Sequence, residues 1–377
     1  MTRQGMMLAA VGALLALAAT ERMVSQAAAS AQTAAGSPSA PAFDVDPRWP
    51  VLPPQWTLGQ VTGVAVDATD HVWVLHRPWS LTDDEKAQNP GAACCTAAPP
   101  VLEFDASGRY LRGWGGPGAG YEWPEDEHAI HIDHKRNVWI TSAGGPRLRD
   151  GKENMILKFT SAGQFLLQIG KRGQSKGSLD TANVNNAADI YVDPKTNELY
   201  VADGYVNRRV IVYDADTGAF KRMWGAHGKP PDDAAPRDVV YDGPPPAQFN
   251  LVHGIRVSND GKVYVADRRN NRMQVFTTAG VFEREIFIER ATKLLGTSFA
   301  VGFSPDAAQR HLYLADAGNG RVRIFDRATL TEVGGIGRIG RYAGQFIFLH
   351  ALAVDSRGDL YTAEVGTGRR VQKFVRR

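Results

Sequence analysis

A chain of 377 residues, 43% hydrophobic and with a formal net charge of +3, can bury a sizeable core in one large all-β domain or in two smaller ones. Its basic residues come in short pairs such as Arg208-Arg209 and Arg268-Arg269, which excludes a nucleic-acid-binding footprint.

The chain starts as export signals do. Thr2-Arg3-Gln4 gives a short basic start, residues 7–19 form a small apolar run, and Ala29-Ser30-Ala31 reads as a cleavage site. The run is too short to span a bilayer comfortably, and no cysteine follows it to carry a lipid anchor. Residues 1–31 are therefore expected to be a signal peptide and 32–48, rich in Ala, Ser and Pro, a disordered leader. Residues 49–377 are the expected folded domain, periplasmic or secreted, with no membrane span after signal removal.

Beyond the leader, short apolar runs bounded by Asp, Gly and Asn recur as strand, turn, strand. The clearest copy runs Asp189-Ile190-Tyr191-Val192-Asp193, Leu199-Tyr200-Val201-Ala202-Asp203, Arg209-Val210-Ile211-Val212-Tyr213-Asp214 and Phe220-Lys221-Arg222-Met223-Trp224. Second strands of the same kind hold an aromatic near their middle: Trp73, Trp139, Tyr264, Tyr313 and Tyr361, each expected to pack on the neighbouring repeat. Four strands per repeat, at a spacing of roughly 45–65 residues, predict an all-β, six-bladed β-propeller. The last repeat stops after its third strand, Val371-Gln372-Lys373-Phe374-Val375, so an N-terminal strand, expected within residues 49–58, supplies the fourth and removes the open edge.

The long connections, 78–100, 142–154, 171–186 and 226–248, all fall on one rim, and loops of that length are often functional. The first holds the two cysteines, Cys94 and Cys95. In an oxidising compartment they can pair with each other, stay free or link two chains; neighbouring Cα atoms lie about 3.8 Å apart, below the usual disulfide range of roughly 4.4–6.8 Å, so a vicinal disulfide would be a rigid turn that braces the loop or shapes a pocket wall.

Three histidines occupy one repeated position. His128-Ala129-Ile130, His253-Gly254-Ile255 and His350-Ala351-Leu352 open the inner strands of repeats 2, 4 and 6, and Thr62, Ala188 and Phe299 open the others. In a closed ring the three imidazoles stand about 120° apart around the channel mouth. Three imidazoles suit zinc with one open position, and iron, cobalt or nickel remain compatible with the ligand type. The alternative is that each histidine caps its strand by a hydrogen bond. His131 and His134 read as packing or surface residues.

The turns Ala202-Asp203-Gly204-Tyr205-Val206-Asn207-Arg208 and Ala266-Asp267-Arg268-Arg269-Asn270-Asn271-Arg272 resemble those of the NHL family of propellers. Within it the chain is similar to the peptidyl-α-hydroxyglycine α-amidating lyases. Gly59-Gln60-Val61-Thr62-Gly63-Val64-Ala65, followed by His76-Arg77, matches the segment that carries that family's arginine, and Asp203-Gly204-Tyr205-Val206-Asn207-Arg208-Arg209 the turn that carries its tyrosine. The resemblance implies zinc held by His128, His253 and His350, Tyr205 as base, and Arg77 holding a carboxylate or developing charge. It implies cleavage of a carbinolamide into an amide and glyoxylate or another aldehyde.

The match has departures. The family's methionine two residues before the third histidine is Phe348, and the acidic residue after that histidine is Ala351, which argues against its structural calcium. Its usual disulfides and partner monooxygenase domain are not expected here. The expected partner is a small-molecule or peptide substrate, with the substrate itself and the oligomeric state left open. Alternatives are a lactonase-like metal-dependent hydrolase and a non-catalytic NHL propeller that binds peptide, glycan or protein.

Overall fold

A computed structural model describes residues 39–86, 95–143, 152–238 and 242–377. The expected signal peptide, residues 32–38 of the expected leader and Cys94 lie outside them. The body, Ala40–Arg377, forms six four-stranded antiparallel sheets among the described residues, with a two-stranded pair, Trp56–Thr57 with Thr96–Ala97, beside them. Inner strands touch in the cyclic order of blades 1 to 6 and back to 1, so the propeller closes.

Blade 1 is built of Gln60–Val66, Val72–Arg77, Val101–Phe104 and Tyr110–Trp114, and blade 4 of Val252–Val257, Lys262–Asp267, Arg272–Thr277 and Phe282–Phe287. Second strands read as continuous apolar runs because each is covered on both faces by neighbouring blades. The expected aromatic belt is present. Trp73, Trp139, Tyr200, Tyr264, Tyr313 and Tyr361 are all fully buried. Each packs on the next blade's inner strand, as Trp73 does on Ile130 and Ile132, and Tyr361 on Val64. A second repeated device fastens the turn side. Asp203–Arg209, Asp267–Arg272 and Asp316–Arg323 form buried ion pairs at 2.9, 2.8 and 2.7 Å in blades 3, 4 and 5, and Glu364–Arg370 takes the same place in blade 6 at 2.5 Å.

One expectation is corrected. The strand that closes blade 6 is Phe43–Asp46, not a segment within 49–58. It pairs antiparallel with Val371–Arg376 in the register Phe43↔Arg376 to Asp46↔Lys373. The propeller therefore includes residues expected to lie in a disordered leader. Alternation explains the strand: Phe43 and Val45 face the core while Asp44 pairs with Arg377. Prolines 50, 53 and 54 deny the 49–58 segment regular ladder donors. Trp49 there fills the seam between blades 6 and 1, against Tyr361 and Phe104.

His76, buried beside Arg77, gives a test of pH dependence. It accepts from the Gly59 amide at 3.2 Å and faces the Ala98 and Pro99 carbonyls. Burial pushes its pKa down from 6.5 to about 4. The folded imidazole thus binds its proton less tightly than the unfolded one, so protonation favours unfolding. Its contribution is complete above pH 6.5 and is lost as pH falls through about 4, on the order of 3 kcal/mol in all. Denaturant titrations between pH 7 and 4 should show this loss, with a shallower slope in His76→Gln. An unchanged slope would refute the assignment.

Candidate functional site

The histidines reach the axis because each sits on a bulge. In blade 4 the ladder passes from Val252↔Asp267 to Gly254↔Ala266, leaving His253 unpaired, and blade 6 skips His350 in the same way between Leu349 and Ala351. In blade 2 the shift lies between Glu127 and Ile130, around His128. A bulge re-aims a side chain, here into the channel mouth.

Each imidazole is then fixed from the neighbouring blade. His128 Nδ1 donates to the Ala188 carbonyl at 2.7 Å, His253 Nδ1 to Phe299 at 2.8 Å and His350 Nδ1 to Thr62 at 2.7 Å. The acceptors are the residues that hold the histidine's own position in blades 3, 5 and 1. A donating Nδ1 leaves the Nε2 lone pair free to face the axis. Ring centroids stand 4.6, 4.9 and 5.1 Å apart, and the three ligand atoms lie within 4.8 Å of one another. Burial, with repulsion from the other imidazoles and from Arg77, holds His128 well below its ordinary pKa. Burial, His350 and Arg268 do the same for His253, and burial with both arginines pushes His350 down to about 3. All three are neutral at physiological pH.

Tyr205 enters from the turn after the second strand of blade 3. Its hydroxyl lies 3.0 Å from His128 Nε2 and 3.2 Å from His253 Nε2, and accepts from Arg268 Nη1 at 3.2 Å. Gly204 makes this approach possible. A Cβ there would stand 2.1 Å from the Val252 carbonyl oxygen, so only glycine lets this turn lie against the residue before His253.

One phenol proton cannot serve two Nε2 lone pairs. The cluster is therefore rich in electron pairs and poor in protons, a donor set that fits a cation at its centre.

Arg77 is buried in the wall between blades 1 and 2. Its Nε donates to the Glu127 carbonyl at 2.9 Å and its Nη2 to Ala143 at 3.0 Å, while Nη1 makes only a long 3.4 Å contact with Gln60. Its charge acts on His128 and His350. All five expected residues thus converge at one mouth of the channel.

Arg268 and Glu127 were not singled out as site residues from the sequence. Arg268 stands where Arg77 does in the repeat, one step past the residue paired across from the inner-strand bulge, Asp267 in blade 4 and His76 in blade 1. It lies 4.0 Å over the Phe299 ring and donates to the Leu295 carbonyl. Aligning the repeats on their second strands would have revealed it. Glu127 precedes His128; burial raises its carboxyl to about 7, and Oε1 accepts from Trp123 at 2.9 Å.

The channel below the triad narrows to a cavity of about 20 Å³, room for one water-sized particle. Asp189 blocks it from the side. Its Oδ2 accepts from Arg256 at 2.6 Å and from the Ile255 amide at 3.0 Å. His131 lines the opposite mouth, where its Nε2 accepts from the Val192 amide, a packing role. Residues 226–248 are tied down where described: Asp233 accepts from Ser178, and Arg208 donates to the Ala235 and Pro236 carbonyls.

Residues 249–276 match the family model of the NHL repeat. They cover the first two strands of blade 4 and most of the third, including His253 and Arg268. The chain is a six-bladed β-propeller that carries a match to the NHL repeat in blade 4. It is 27% identical over 343 residues to human NHL repeat-containing protein 3, covering 88% of this chain and 84% of that one. It is 24% identical to a Caenorhabditis elegans protein named a probable peptidyl-α-hydroxyglycine α-amidating lyase, covering 84% of this chain and 83% of the other. The solved streptogramin B lyase shares the fold, with a TM-score of 0.53 at 14% identity over 89% of this chain and 98% of that one. No helix among the described residues is long and apolar enough to cross a membrane.

Proposed function

We propose that this propeller is a metal-dependent carbon–nitrogen lyase that cleaves a carbinolamide of the peptidyl-α-hydroxyglycine type to an amide and glyoxylate, or to another aldehyde. The observation that carries this reading is the Tyr205 hydroxyl held between two inward-facing Nε2 atoms of a buried three-histidine cluster. His128, His253 and His350 would hold the ion, with zinc preferred and iron compatible. When bound, such an ion supplies Lewis acidity toward the substrate oxygen.

The chain's own groups handle protons and orientation. Tyr205 is the base that takes up the proton of the substrate hydroxyl, with Arg268 Nη1 donating to that phenolic oxygen at 3.2 Å. The carbinol C–N bond breaks as the C=O bond forms, and Tyr205 returns the proton to the departing amide nitrogen. Atoms and charge balance without a further reactant. Among the described residues Arg77 Nη1 makes only the long contact with Gln60, and it can be directed at the substrate carboxylate. The three backbone-anchored imidazoles fix the site in advance, which limits reorganisation during the reaction.

The test is glyoxylate release from N-acyl-α-hydroxyglycines. Turnover is expected in the wild type, and Tyr205→Phe should lower kcat about a hundredfold with a smaller change in KM. Equal rates in the two proteins would remove Tyr205 from this role. The reading includes export, on the strength of the basic start and apolar run at residues 1–31.

A further inference from the structure

A groove of about 570 Å³ opens on the histidine face, beside the triad. Trp56, Trp79, Trp123, Pro99 and Pro100 line it, with Glu127 at its floor. Its two ends of chain are tied to the site: Glu127 directly precedes His128, and Pro78-Trp79 directly follow Arg77, whose guanidinium lies 5.7 Å from the Trp79 ring.

The walls are held in place by the fold. Trp56 sits in its short ladder with Thr96 and meets the Tyr110 ring edge-on at 5.1 Å. Trp123 is fixed by its bond to Glu127 Oε1 and by the Phe159 ring. Gly115, at φ +118°, lets that indole lie flat, since a Cβ there would stand 2.8 Å from it. The floor carries an unmet demand. Glu127 is 3% exposed, Trp123 satisfies one carboxyl oxygen, and Oε2 has no hydrogen-bond partner among the described residues. Buried polar atoms are nearly always paired, so an orphan at the floor of an apolar groove points to a polar group of a ligand.

We propose that the groove is the subsite for the acyl half of the substrate. It takes an apolar, ring-bearing side chain on the residue before the α-hydroxyglycine, stacked among the tryptophans, with the substrate's amide bonded to Glu127 Oε2. This rests on the lyase reading, because the occupant is defined by its attachment to the carbinolamide at the triad.

The test compares N-acetyl-phenylalanyl-α-hydroxyglycine with N-acetyl-alanyl-α-hydroxyglycine. Wild-type kcat/KM should favour the phenylalanyl substrate by about tenfold or more. Trp79→Ala and Trp123→Ala should bring that ratio close to one, while Phe220→Ala, an exposed aromatic on an outer strand, should keep it. Turnover of both substrates with a flat wild-type ratio, or a ratio unmoved by the tryptophan variants, overturns the subsite and leaves the lyase reading standing. If neither substrate turns over, the lyase reading fails, and calorimetry with N-acetyl-phenylalaninamide decides the groove separately. Saturable binding that Trp79→Ala abolishes supports it, and no binding to the wild type overturns it.

Discussion

Wild-type protein is expected to carry about one transition-metal ion per chain, and His253→Ala to lose the ion together with at least about a thousandfold of lyase turnover. The site offers three Nε2 atoms, and two remain in the variant. Catalytic zinc sites keep three protein ligands and an open position, so losing one removes both affinity and geometry. Several kcal/mol of charge stabilisation then disappears, at tenfold in rate per 1.36 kcal/mol.

The fold should survive that change. The His253 imidazole makes one bond to the blade framework, to the Phe299 carbonyl, and its loss costs on the order of 1 kcal/mol. Elemental analysis beside a thermal melt separates the two effects. His134→Ala, at an exposed histidine in the turn after the inner strand of blade 2, should retain the metal. A wild type without transition metal even after reconstitution with zinc would sink the lyase reading and favour a binding propeller.

Asp267→Ala should destabilise the propeller by about 3–5 kcal/mol. Asp267 is fully buried. Its Oδ2 accepts from Arg272 Nε at 2.8 Å and from Asn270 at 2.7 Å, and its Oδ1 from the Asn250 amide at 2.8 Å. Removing it leaves Arg272 in the interior without its closest counter-charge, with the more distant Glu285 at 3.2 Å and backbone carbonyls as its remaining partners. An unpaired buried charge costs far more than a surface pair contributes. Lys135→Ala, which breaks the exposed pair with Asp216, should cost less than about 1 kcal/mol. Chemical denaturation of both variants is the measurement. A loss of under about 1 kcal/mol in Asp267→Ala would show that the repeated Asp–Arg pairs do not hold the turns together.

Much of the site was legible because it repeats. The position that opens the inner strand recurs in every blade, so His128, His253 and His350 could be aligned without coordinates, and Tyr205 and Arg77 followed from their turns. Arg268 is legible by the same logic, as the residue in Arg77's place one half-turn of the ring away. Glu127 was not, because its character comes from burial and from a tryptophan four residues upstream rather than from any repeat.

The closing strand shows the limit most plainly. Alternation in Phe43-Asp44-Val45-Asp46 is a four-residue signal, too short to stand out from an Ala/Ser/Pro-rich leader, and only pairing with Val371–Arg376 makes it a strand. By itself the sequence determined the number of blades, the aromatic belt and which side chains share one mouth of the channel, because these follow from local periods of two and from turn residues. Tertiary structure alone decided which segment closes the ring, which carbonyl orients each imidazole, and that one phenol lies between two of them. Those contacts join residues 46 to 333 positions apart, and the placing of the phenol depends on the close approach that Gly204 permits against Val252.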